Sequence, residues 1–229
     1  TRINDSFAIG DGHWNYASYY TDRAVYDSAY HHFNAANSYF DKSGYVYESA
    51  NMEYGMAFIK GRFKDYSGSE VLTFMAIKKF KQIEDYKSLY SCYDHLGQLQ
   101  NDIYEYDKAL YYYDRASEYL EEFDNNKTQY QASLNNIGIT YLKKEEYSRA
   151  LQNFNTLLEN DRLKLSNKDS YARALDNRAY CKLLMKDTLH VSKQLNEALH
   201  IRDSLDNKSG VVISKIHLAR YYTYAQDSV

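Results

Sequence analysis

Proline is absent from all 229 residues, and cysteine occurs only twice. A proline inside a helix removes a backbone hydrogen bond and clashes with the preceding turn. A chain without one can therefore be helix interior almost throughout. Cys92 and Cys181 fall two repeats apart on the periodicity described below, too far for a disulfide. They read as small buried residues and carry no information about compartment. No apolar run approaches the roughly 18 residues that a membrane-spanning helix needs. The formal net charge is −3 with no cluster of Lys and Arg, so the basic footprint of a nucleic-acid binder is missing. There is no Gly-rich phosphate loop, no G-x-S-x-G elbow and no H-E-x-x-H helix. Carboxylate pairs such as Glu121-Glu122 and Glu145-Glu146 fall at helix ends and turns, where they are solvated. The expectation is a chain with no catalytic residue and no cofactor.

Seven histidines raise the question of a metal. His31 and His32 are adjacent, and on a helix adjacent side chains diverge by about 100°. His95, His190, His200 and His217 fall in different repeats with no short ligand spacing. The expectation is no metal site.

What the chain does have is tyrosine, 27 of them, and a long period. The residues Ala29, Ser69, Ala109, Ala150 and Val191 recur at steps of 40 or 41. So do Ala36, Ala76, Ala116, Leu157 and Ala198, one helical stripe later. A third column, Tyr26, Tyr66, Tyr106 and Tyr147, closes with Thr188. A looser column, Ala17, Gly55, Gly97, Gly138, Ala179 and Ala219, belongs to a preceding helix; its uneven step suggests about two extra residues in the turn at 61–65. These periods predict repeats over about 10–48, 49–89, 90–130, 131–171 and 172–211, with a partial sixth over 212–229. Residues 1–9 read as the tail of a preceding helix. Tyrosines on the same spacing as the core columns are packing groups, ring inward and hydroxyl at the edge. The stripe Ala109, Tyr113, Ala116, Leu120 and Phe123 places the extra repeat length mainly in the second helix. Links such as Asp41-Lys-Ser-Gly44, Asp124-Asn-Asn-Lys-Thr128, Ser166-Asn-Lys-Asp-Ser170 and Asp206-Asn-Lys-Ser-Gly210 supply helix-capping side chains and glycine stops.

The clearest repeat is Leu134 to Leu157, LNNIGITYLKKEEYSRALQNFNTL. A Leu/Ile-Gly pair is followed three residues on by Tyr141, and the second helix reads Tyr147-x-x-Ala150-x-x-x-Phe154. This resembles the tetratricopeptide repeat, whose usual length is about 34 residues. The resemblance implies an all-α, right-handed α-solenoid of antiparallel helix pairs over 1–229. Its first helices would line a concave face that holds a protein or an extended peptide. Carried over by position, it places Asn136 and Asn177 where the family often has an Asn that bonds a ligand backbone. Asn135, Arg173, His95, Gln98, Tyr180, Lys143 and Arg220 lie on neighbouring stripes as further ligand-facing candidates. Asn177-Arg-Ala179 is similar to a triplet of chaperone-binding members. The lysines of their carboxylate clamp are missing, since Trp14, Met52, Asp94, Asn135 and Asp176 stand in that column.

The long repeats and the Asp-Asn-Lys-Ser links also resemble the tetratricopeptide sensor portions of Bacteroidetes-type regulators. That resemblance implies a bacterial signalling segment of a larger protein, periplasmic first, with the cytoplasm as the alternative. The triplets at Asp27, Asp187 and Asp203 look like its O-glycosylation acceptors. A passive assembly adaptor and the repeat arm of an enzyme remain as alternatives. The lack of an initiator Met, and an unpartnered sixth first helix, suggest a piece of a longer chain. That helix would leave an uncapped end open to self-association.

Overall fold

The computed structural model describes residues 2–120, 128–159 and 163–227, and within them twelve helices and no strand. The chain divides into two compact units, 1–125 and 126–229, where the sequence suggests one array. The first unit holds three antiparallel pairs: α1 (Arg2–Asp22) with α2 (Tyr26–Lys42), α3 (Val46–Arg62) with α4 (Tyr66–Gln82), and α5 (Tyr86–Asp102) with α6 (Tyr106–Ser117). The second holds α7 (Thr128–Lys143) with α8 (Tyr147–Leu158), a single turn α9 (Leu163–Ser166), α10 (Lys168–Leu184) with α11 (Val191–Ser204), and α12 (Lys208–Asp227).

The 40-residue period has a simple origin. In the first unit, helices start at Tyr26, Val46, Tyr66, Tyr86 and Tyr106, a step of 20. Each turn between them has three residues, with a left-handed residue in the middle: Ala24, Gly44, Lys64, Glu84 and Tyr104. Four of the five turns close the same way, and the turn at Glu84 keeps the longer of the two bonds, Asp85 N–H to Phe80 O at 3.1 Å. Val25 N–H donates to Tyr20 O at 2.9 Å and Ala24 N–H to Thr21 O at 2.9 Å, a pattern repeated at Asp65 to Lys60 and Lys64 to Gly61. This is the Schellman closure, which satisfies carbonyls that the helix end would otherwise leave open. Only Gly44 takes the left-handed conformation free of Cβ strain. The other turns hold it with ordinary residues because the closing backbone bonds fix the exit of each helix. Asp65, Asp85, Asn167 and Asn207 then cap the next helix, accepting from Gly68, Ser88, Ser170 and Gly210 N–H at 2.9–3.1 Å.

The structure corrects several expectations. First helices begin at 46, 86, 128, 168 and 208, three or four residues before the expected repeat starts. Residues 2–9 are not the tail of another helix; they are the opening turns of α1, and Phe7 packs on Phe40 and Tyr45. The turn at 63–65 has no extra residues. The uneven column arose from Gly55, whereas the residue in register is Ala57, fully buried at the crossing with Ser69. Gly55 faces Phe33 of the preceding repeat instead. Nor is the extra length gathered in the second helix: α2, α3, α4 and α5 have 17 residues each, and α6 has 12. Phe123 and the 124–127 link lie outside the described residues.

Where the periods placed small residues, helices meet closely. Ala29, Ser69, Ala109, Ala150 and Val191 are fully buried, as are Ala36, Ala76, Ala116 and Ala198. Aromatics close the same seams: a Cβ added at Gly97 would lie 2.5 Å from the Tyr113 ring, and one at Gly138 2.6 Å from that of Phe154. Repeats two and three are joined by a buried relay. Ser69 Oγ–H donates to Ala57 O at 2.7 Å, so the His95 Nε2–H, 2.9 Å away, must donate to Ser69. Burial lowers the His95 pKa to about 4.

Two tests follow from this packing. Gly138→Ala should cost about 1–3 kcal/mol, since a methyl meets the buried Phe154 ring. Gly12→Ala, with open space around its Cβ, should gain up to about 1 kcal/mol from helix propensity. Chemical denaturation of both variants checks the register, and equal changes would overturn it. His95 has a folded pKa below its unfolded value, so its contribution is complete above about pH 6.5 and is lost as pH falls toward 4. The gap corresponds to about 3 kcal/mol at most. The pH profile of unfolding should show that loss, and His95→Gln should flatten it in the same window.

Candidate functional site

The first helices of the second unit, α7, α10 and α12, carry most of the expected ligand-facing residues. Their spacing against one another is set by a ladder of side chains. The residue three before each small crossing residue reaches the residue two before the next. Asn135 Oδ1 accepts from Asn177 Nδ2 at 3.2 Å, and Asp176 Oδ2 lies 2.7 Å from His217 Nδ1. In the first unit the same two columns put Tyr54 edge-on to His95, ring centroids 5.8 Å apart. The polar positions that the resemblance assigns to a ligand therefore also bind repeat to repeat.

This divides the expected residues. Asn135 is only 6% exposed and is a seam residue, not a surface one. His95 is buried on Ser69, off the exposed stripe where it was expected. Gln98 is exposed and donates to Asp94 at 2.6 Å. Arg173, Asn177 and Tyr180 follow one another at i, i+4 and i+7 on α10, so they share a face. Arg173 is exposed and ion-paired with Asp169 at 2.9 Å. Asn136 is half-buried on α7, and Lys143 is exposed at its last residue. Asn177 is also half-buried; its partner is Asn135, and it does not pair with Asn136. Tyr180 is stacked flat on His217, centroids 4.1 Å apart, and Arg220 donates to the Tyr180 hydroxyl from above the ring. Within the second unit these residues bring amide, aromatic and guanidinium groups to the first-helix face. Arg178 of the Asn-Arg-Ala triplet turns the other way, to Asn155 on α8.

The sequence reading missed the buried polar joints. Asp176 is fully buried and accepts from Ser214 Oγ at 2.8 Å, with Arg202 Nη1 at 3.5 Å. Arg202, 3% exposed, also donates to Gly210 O at 2.9 Å. In the first unit Lys79 Nζ reaches Asp41, Ser49 and Glu53 at 2.6–2.8 Å. Glu53 is 1% exposed, and burial raises its pKa against the opposing pull of Lys79. The signal was present: Arg202 continues the stripe Val191, Leu195, Ala198, and a charge on an apolar stripe is a buried, partnered charge.

Burial pushes the Cys181 thiol up to about 11 and raises that of Cys92 further, so neither is a ready nucleophile. Among the described residues no group of three or more His, Cys, Asp or Glu converges as a metal site, and no helix is long and apolar enough to cross a membrane.

No protein-family model matches the chain, and no curated protein matches it. Solved structures do. RapI in its apo form aligns with a TM-score of 0.79 at 20% identity, over 100% of this chain and 84% of that one. NprR in complex with its cognate peptide NprX aligns at 0.69 and 13%, over 93% and 60%. The nearly identical TPR-like repeats of a Podosopora anserina kinesin light chain align at 0.67 and 9%, over 86% and 96%. At these identities the likeness is one of fold: the chain is an all-α, TPR-like solenoid protein.

Proposed function

We propose that this chain is a non-catalytic scaffold that captures a peptide or protein segment on its first helices, with the second unit's Asn136, Arg173 and Asn177 at the centre of the site. We further propose that it serves as the sensor or regulatory segment of a larger signalling protein. The observation that carries the binding reading is the state of Asn177. Its amide nitrogen is committed to Asn135, which fixes the side chain, while its Oδ1 stays open at a half-buried position. A held acceptor of that kind suits a backbone N–H of an extended segment. Arg173, one turn away on the same face, offers a planar donor fork to a carboxylate. The fold likeness to NprR, solved in complex with its cognate peptide, supports the same reading.

The test is selection of random dodecapeptides displayed on phage against the purified chain, followed by titration of synthetic winners. Arg173→Ala should weaken capture about tenfold or more, as expected for a lost bond to a charged group. It should leave the melting point nearly unchanged, because the pair it forms with Asp169 is a surface one. Asn177→Ala should lose affinity and also about 1–3 kcal/mol of stability, since it strands the buried Asn135. Failure to select any peptide, or equal affinity for the Arg173 variant, would place binding elsewhere or remove it.

A further inference from the structure

A cleft of about 240 Å³ lies in the first unit, at the joint between repeats two and three. A cavity of about 150 Å³ already holds benzene, so there is room for a small molecule. The floor is the ring of His95, buried on Ser69. Because that ring gives its Nε2–H to Ser69, its Nδ1 is a bare acceptor, and it has no hydrogen-bond partner among the described residues. Burial keeps the ring unprotonated at neutral pH. Gly61 on α3 leaves space beside it: an added Cβ would lie 3.2 Å from Leu99 Cδ2 and 3.5 Å from His95 Cε1.

The two walls differ in character. From α5 come His95, Gln98 and Asp102, at i, i+3 and i+7 and so on one face. All three can accept. The Gln98 amide is held by its Nε2 bond to Asp94, which leaves Oε1 to accept, and Asp102 is an exposed carboxylate. The other wall brings Arg62, at the end of α3, and Lys64, in the turn that follows. These side chains only donate, and neither forms an ion pair among the described residues. Phe58 and Leu99 supply apolar lining.

We propose that this cleft binds a free α-amino acid with an apolar side chain. Its ammonium group meets the acceptors of α5, and its carboxylate meets Arg62 and Lys64. Its side chain rests on Phe58 and Leu99. A zwitterion carries both charges within one small molecule, which is what a cleft with an accepting wall and a donating wall selects. The end of a peptide chain carries only one of the two charges and leaves the opposite wall unmatched. The site shares no residue with the peptide face centred on Asn136, Arg173 and Asn177.

The experiment follows the imidazole nitrogen resonances of the whole, isotope-labelled chain during titration with L-leucine. The expected result is saturable binding that moves His95 Nδ1 and leaves the other histidines in place. N-acetyl-L-leucine lacks the ammonium and L-leucinamide the carboxylate, and each should bind about fivefold or more weakly. Arg62→Gln and Asp102→Asn, both at exposed positions, should each weaken L-leucine by about the same factor with little change in melting point. The analogues then assign the walls. Arg62→Gln should not weaken L-leucinamide further, and Asp102→Asn should not weaken N-acetyl-L-leucine further. Gln98→Trp, also at an exposed position, should fill the cleft and abolish binding. Arg173→Ala should leave L-leucine binding intact, which separates this site from the peptide face. A His95 resonance unmoved by millimolar L-leucine, equal affinity for the two analogues and L-leucine, or unchanged L-leucine affinity in both charge variants would each overturn the proposal.

Discussion

Everything in this chain is arranged around the crossings where two helices meet with only a methyl, a hydroxyl or a hydrogen between them. At such a crossing the backbones approach until Gly138 touches the Phe154 ring and Ser69 reaches the Ala57 carbonyl. A larger side chain has no cavity to enter, and interiors packed to this density transmit an added methylene as strain. The crossing therefore sets the angle of each pair, and the three-residue turn sets its phase. In the first unit the two combine into a step of 20 residues per helix and 40 per repeat.

That constraint decides what the polar side chains can do. Beside each small crossing residue the first helix passes close to the next first helix, and whatever stands there must satisfy a neighbour before it can meet a ligand. Asn135 with Asn177 and Asp176 with His217 are outcomes of the same geometry with different chemistry. Tyr54 against His95 solves it with rings. A buried charge such as Asp176 is tolerable only because Ser214, His217 and Arg202 converge on it, and taking away one partner of such a group is typically costlier than never having the pair.

The fold was legible because crossings repeat and surfaces do not. Three columns of small residues and tyrosines, read at 40 or 41, found the seams and the helical class before any coordinate. They misplaced one column through Gly55, because a glycine there answers Phe33 of the previous repeat rather than its own crossing. Helix starts were read late because the capping residues sit in the turn, whereas the apolar period begins a turn further in. The left-handed turn residues Lys64, Glu84 and Tyr104 carry no sequence mark at all, since the backbone bonds of the closure impose their conformation. The candidate site was legible only as a stripe. Position along a helix told which residues share a face, but not that Asn135 lies under Asn177 or that His95 is turned into the core.

The ladder also constrains how the proposed face could read a ligand. Packed helices stand about 8–10 Å apart, and an extended chain advances about 3.3 Å per residue. A segment laid across α7, α10 and α12 would therefore meet equivalent positions at about every third residue. Side chains between those contacts would face away and go unread, so recognition would rest on backbone bonds and on one or two anchors. The second unit differs along this line: a half-open amide and an exposed guanidinium on α10, then His217 and Arg220 around the Tyr180 ring on α12. Polarity of the ligand would follow from that asymmetry. A ligand carboxylate would be better matched to Arg173 on α10 and Arg220 on α12 than to the Asn136 turn of α7, whose cation, Lys143, lies at the far end of that helix. Direction along the groove would thus come from charge placement, while affinity would come from the repeated amide column.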